Sequence, residues 1–200
     1  MKDPLKIIAE NMLRDGLLDI SNKSDEEILV EIKNIFTNHL KNSGEIEFSI
    51  DHRKGLLSQA RKFRKEKNLF YSNVFYSLFI EHWFNNIVFV SIRRKQFNTA
   101  YVNDIIRNTN IKSKMTWLLE LFGLEPIPEK HFDVISKLFE NRNSFVHYKW
   151  KSFNLRKNDF SENSIKQLTD LEQVEKTVKY LQNYENRKIF NSKKSVARKF

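Results

Sequence analysis

A chain of 200 residues without cysteine suits one domain with extensions, excludes disulfides and thiolate metal sites, and can bury about 70% of its unfolded-chain surface. Seventeen Phe, six Tyr and three Trp supply apolar bulk, whereas four Gly and three Pro are too few for a turn-rich all-β fold, so an all-α architecture is expected. The formal charge of +10 fits a polyanionic partner.

Residues 1–20 contain Asp3, Glu10 and Asp15 and lack a continuous apolar core, so no secretory signal is expected. Ser24-Asp25-Glu26-Glu27 reads as a capping box, with the serine bonding forward and Glu27 reaching back. It opens a helix with Ile28, Leu29, Ile32, Ile35, Phe36 and Leu40 on one stripe, ending near Ser43-Gly44. Residues 45–50 alternate apolar and polar and are read as an extended connector or a short strand. Residues 1–50 therefore form a helical extension, residues 51–185 the main helical bundle and residues 186–200 a basic tail.

A basic helix is expected from about residue 54, separate from or continuous with a long one over 69–95. Arg61, Lys62, Arg64 and Lys65 on the first are candidate RNA contacts, and a solvated helix face is the plain alternative. The long helix is apolar nearly all round and should lie at the centre of the bundle. Its exception is Ser77, Glu81 and Asn85 at i, i+4 and i+8, a line that faces either solvent or a polar cleft. His82 and Trp83 beside it are read as packing residues. The interruptions at Glu81, His82, Asn85 and Asn86 argue against a membrane span, and a cytoplasmic location is expected. His39, His52, His82, His131 and His147 form no H-x-x-x-H or H-x-H pair, so neither a metal site nor a cofactor is expected.

Helices are predicted over 99–108 and 112–122, the latter stopped by Gly123, and Pro126 and Pro128 mark the following loop. The next helix, 129–147, places Phe132, Ile135, Leu138, Phe139, Arg142 and Val146 on a repeat of about 3.6 residues. Arg142 thus falls among core positions, where a guanidinium needs a partner or a ligand. Arg142-Asn143-Ser144-Phe145-Val146-His147 joins a permanently charged fork of donors to an imidazole that titrates near neutrality. The pair suits attack of a ribose 2′-OH on its own 3′-phosphate, giving a 2′,3′-cyclic phosphate and a 5′-OH without a metal. DNA lacks that hydroxyl, so the substrate class is RNA. Arg142 and His147 lie roughly 140° apart on an ideal helix. A working site needs either a helix that ends within the motif or a groove between two copies of the chain. A structural Arg142 paired with a carboxylate, in a non-catalytic RNA-binding or scaffold subunit, is the competing reading.

The helix bearing R-N-x-x-x-H, together with the long apolar helices before it, resembles the HEPN superfamily of small all-helical proteins. The resemblance implies a HEPN-like bundle of four to five core helices, homodimeric, with both motifs in one cleft and metal-independent endoribonuclease activity. It implies Arg142 and His147 as the catalytic pair and Asn143 as the residue that positions them, and Glu81 matches an acidic helix residue seen in some members. Members of the superfamily act as toxins or antiviral effectors, which implies a cognate antitoxin or a sensor protein as partner. Members silenced by a nucleotidyltransferase carry tyrosine two residues after the histidine. Here that place is Lys149, with Tyr148 directly after His147, so control by tyrosine modification is not expected.

Residues 148–157 form a basic aromatic stretch in which Tyr148 and Lys149 are further RNA-contact candidates, and Trp150 and Phe153 either stack bases or pack. A last amphipathic helix over 164–184 carries Leu168, Leu171, Val174, Val178 and Leu181 at close to heptad spacing.

Overall fold

The computed structural model describes residues 4–18, 22–43, 51–146 and 159–191, and all regular structure among them is helical. The order is α1 (Pro4–Asp15), α2 (Asp25–Ser43), α3 (Arg53–Lys65), α4 (Leu69–Arg94), a 3-10 turn (Thr99–Tyr101), α5 (Val102–Asn108), α6 (Ile111–Met115), α7 (Trp117–Leu121), α8 (Glu129–Val146) and α9 (Asp159–Lys188). The connector expected at 45–50, the aromatic stretch after His147 and most of the basic tail lie outside the described residues. The chain divides into two compact units, one of residues 1–50, 90–99 and 182–200, the other of residues 51–89 and 100–181. No described helix is long and apolar enough to cross a membrane.

In the first unit, the capping box opens α2 as its residue types require. The Ser24 amide donates to Glu27 Oε2 at 2.7 Å, and the Glu27 amide donates to Ser24 Oγ at 3.2 Å. Two orphan donors of the first turn are thereby satisfied. Ile28 and Ile32 of the predicted stripe are buried. α1 ends at Gly16, whose φ of 75° lets the amides of Gly16 and Leu17 fold back onto the Leu13 and Met12 carbonyls. Arg94 gathers further helix-end carbonyls: its Nε donates to Arg14 O at 2.9 Å and its Nη2 to Leu13 O at 2.9 Å and Ile189 O at 2.5 Å.

In the second unit, α4 supplies the middle of the core. Tyr76, Ile80, Phe84, Ile87 and Val88 are fully enclosed, and Trp83 nearly so. Each such side chain contributes roughly 2 kcal/mol of burial free energy. Ile135, Leu138 and Phe139 of α8 and Leu171, Val174, Val178 and Leu181 of α9 complete the core, as their spacing predicts. Between α8 and α9, His131 accepts or donates at 2.9 Å to Thr177 Oγ1 and stacks on Tyr180 at 4.2 Å.

Several boundaries differ from those read in the sequence. α3 and α4 are separate: α3 closes with Lys67 at φ 58°, the Lys67 and Asn68 amides bonding to Arg64 O and Phe63 O. A lysine here adopts the left-handed conformation that glycine usually signals, so the stop was silent in composition. The helix expected over 112–122 is two short ones, broken at Thr116 with φ −119° and ψ −111°. The segment from residue 99 begins as a 3-10 turn. α9 runs from Asp159 to Lys188, beyond both predicted ends, so the first residues assigned to the basic tail are helical.

Candidate functional site

The site is built on α4, α6 and α8 of the second unit. Glu81 and Asn85 stand one helical turn apart on α4, and the polar line through them meets cations brought by the other two helices. Arg142 Nη2 donates to Glu81 Oε2 at 2.5 Å, and its Nη1 donates to Asn143 Oδ1 at 3.2 Å. The guanidinium carbon lies 5.3 Å from the centre of the Phe139 ring, one turn back on α8. Its Nε is buried with no hydrogen-bond acceptor among the described residues. The arginine side chain is 20% exposed and that of Glu81 37%, so the pair sits at the edge of the core.

Lys114 is the second cation. It is 4% exposed, and its ammonium donates to Asn85 Oδ1 at 2.7 Å and to Ile106 O at 2.9 Å. Burial lowers its pKa, and attraction to Glu81 opposes that shift. Among the described residues, Glu81 is a carboxylate that interacts with both Arg142 and Lys114. Sequence patterning missed Lys114. It stands beside core residues Met115 and Leu118, but nothing local identifies Asn85, 29 residues away, as its partner.

Ser77 leaves the polar line. Its hydroxyl is buried and donates at 2.8 Å to Asn73 O within α4. Trp83 is in the core as expected, whereas His82 is exposed and stands edge-on to His52, their ring centres 6.5 Å apart. His82 was read as packing; its place on the outer face of α4 corrects that. α8 is helical without a break through Val146, so no distortion separates Arg142 from that point. His147, Tyr148 and Lys149 lie outside the described residues.

The four basic candidates on α3 split into two kinds. Arg61 grips both carboxylate oxygens of Glu175 of α9, Nε to Oε1 at 2.8 Å and Nη2 to Oε2 at 2.9 Å, and the buried Tyr76 hydroxyl donates to the same carboxylate. Arg64 Nη2 lies 3.9 Å from Glu172, one turn away on α9. The Arg61 hydrogen bond holds Glu175 below the usual carboxylate range, and burial, then the carboxylate, push the Tyr76 phenol up. The arginines are thus struts between α3 and α9, while Lys62 and Lys65 are exposed with no partner among the described residues.

Among the described residues, no group of three His, Asp or Glu is placed to hold a metal ion. Comparison of the chain with protein-family models, with curated proteins and with solved structures finds no match. The described residues combine all-helical regular structure with an Arg–Glu pair at the edge of the core and a buried lysine beside it.

Proposed function

We propose that this chain is a metal-independent endoribonuclease of the HEPN type, working as a homodimer with a HEPN-like bundle. The observation that carries the reading is the Arg142–Glu81 pair: a guanidinium on a core stripe, held by a carboxylate from α4, directly before Asn143 in an R-N-x-x-x-H motif. Glu81 fixes the plane of the fork through Nη2. Asn143, a neutral and exposed acceptor, yields Nη1 to a phosphate oxygen.

In the reaction, the 2′-oxygen bonds to phosphorus as its proton passes to a base, the P–O5′ bond breaks, and the departing 5′-oxygen takes a proton. His147 is the acid/base group, and Arg142 stabilises the charge that grows on the phosphoryl oxygens. Because the two lie on different faces of an ideal helix, a cleft between two copies supplies both edges. Such activity harms its host unless restrained, so a cognate antitoxin or sensor protein and a role in toxin–antitoxin or phage defence complete the proposal by family analogy.

A scaffold reading has its own observation. Glu81 already pairs with Arg142, as a structural ion pair requires. Purified wild type, Arg142→Ala and His147→Ala incubated with total RNA in EDTA separate the two. Cyclic-phosphate ends made by the wild type and by neither variant support the ribonuclease; equal fragment patterns from all three overturn it.

A further inference from the structure

The corner between α3 and α4 exposes Lys62, Lys65, Lys67, Phe70 and Tyr71 within ten residues, with Glu66 the single acid among them. Phe70 is 54% exposed and Tyr71 48%, large values for aromatic rings. The corner is also built to keep its shape. Phe63 of α3 meets Tyr71 in a tilted contact at 5.3 Å and stacks on Phe75 at 5.4 Å, so one ring of α3 holds two rings of α4. Ser72 Oγ donates to Ala60 O at 3.0 Å, tying the first turn of α4 to α3, and the Lys67 turn fixes the angle between them. Arg61 and Arg64 pair with Glu175 and Glu172, which ties α3 to α9, while Lys62, Lys65 and Lys67 stand exposed.

We propose that this corner docks single-stranded nucleic acid, with Phe70 and Tyr71 as faces on which bases stack and Lys62, Lys65 and Lys67 along the phosphates. Unpaired bases offer π-faces to such rings, whereas a duplex hides them. No aliphatic side chain is exposed between residues 61 and 71, as insertion into a lipid surface would need. The proposal extends the ribonuclease reading by naming how substrate is held, and stacking does not need the 2′-OH.

The test is fluorescence anisotropy of the full chain with labelled oligodeoxythymidylate of about twelve residues. DNA is not cut by a 2′-OH mechanism, so docking is measured whether or not the cleavage reading survives. Salt-dependent binding is expected, with oligouridylate binding comparably to His147→Ala and a duplex of equal length binding more weakly. Phe70→Ala and Tyr71→Ala should each weaken binding by about tenfold, while Tyr71→Phe retains it. Lys62→Gln, Lys65→Gln and Lys67→Gln together should make the log–log salt slope shallower by about two. Circular dichroism confirms folding of each variant. Absence of wild-type binding, full affinity in the folded aromatic variants, or binding to phosphatidylserine vesicles in place of oligonucleotide overturns the proposal.

Discussion

Glu81 of α4 and Arg142 of α8, 61 positions apart in the chain, meet in a 2.5 Å charged hydrogen bond. It reconciles a guanidinium with a helix face otherwise occupied by Ile135, Leu138 and Phe139. At 20% and 37% side-chain exposure the pair is screened more than a core pair, so its coupling should be near 1 kcal/mol. Denaturant unfolding of Glu81→Gln, Arg142→Gln and the double variant measures it. Strictly additive losses would show that the two residues do not stabilise each other.

Lys114 should matter more for stability. Replacing it with Met strands Asn85 Oδ1 and the Ile106 carbonyl, at about 1 kcal/mol for each part-buried acceptor. Adding Asn85→Leu should recover part of the loss, because one stranded acceptor then disappears. Urea midpoints for both variants check the order.

Two acid-driven losses should separate on the pH axis. His131 is buried between α8 and α9, and burial, reinforced by Lys130, lowers its pKa from the ordinary 6.5. The unfolded chain then binds the proton more readily, so stability is full above about pH 6.5 and falls with acidification until the folded pKa is passed. Thermal melts between about pH 7.5 and 5.5 should decline in the wild type and flatten in His131→Phe. A wild-type profile already flat over that window contradicts the assignment.

Glu175 works in the same sense but lower on the scale. Its pKa is depressed, chiefly by Arg61, so its contribution is present above the unfolded value of 4.5 and is lost as pH falls through the folded one. Glu175→Ala removes the acceptor of the enclosed Tyr76 hydroxyl and should cost about 1–2 kcal/mol at neutral pH. Adding Tyr76→Phe should return part of it in the same denaturation assay.

Backbone conformation yields a paired prediction in the first unit. A Cβ on Gly16 would lie 3.2 Å from Arg94 Cγ, at a φ of 75°. Gly16→Ala therefore strains the turn and disturbs the arginine that serves the Leu13, Arg14 and Ile189 carbonyls, costing about 1–2 kcal/mol. Gln96 holds φ 55° with a side chain, so Gln96→Gly should stabilise by about 0.5–1 kcal/mol. Melting temperatures should move in opposite directions.

Much of the architecture was present in local pattern. Ser24 and Glu27 announced the start of α2, the continuous apolar run marked α4 as central, and the repeat through Ile135, Leu138 and Phe139 placed one face of α8 inside. Those signals work because caps and helix faces join residues within four or five positions, a range that spacing expresses directly. The C-terminal end of α3 and the break at Thr116 escaped because Lys67 and Thr116 take conformations that neither residue type advertises.

Residue types and spacing by themselves determined that the chain is helical, that it bears strong positive charge, and that Arg142 occupies a core stripe in need of a partner. Tertiary structure alone decided that Glu81 is that partner, that Lys114 joins Asn85 beside it, and that Arg61 and Arg64 pair with Glu175 and Glu172 of α9. The physical reason is range. A charge's need for compensation is a local property, but which opposite charge supplies it depends on how helices far apart in the chain pack their apolar faces, and that packing sets every such pair at once.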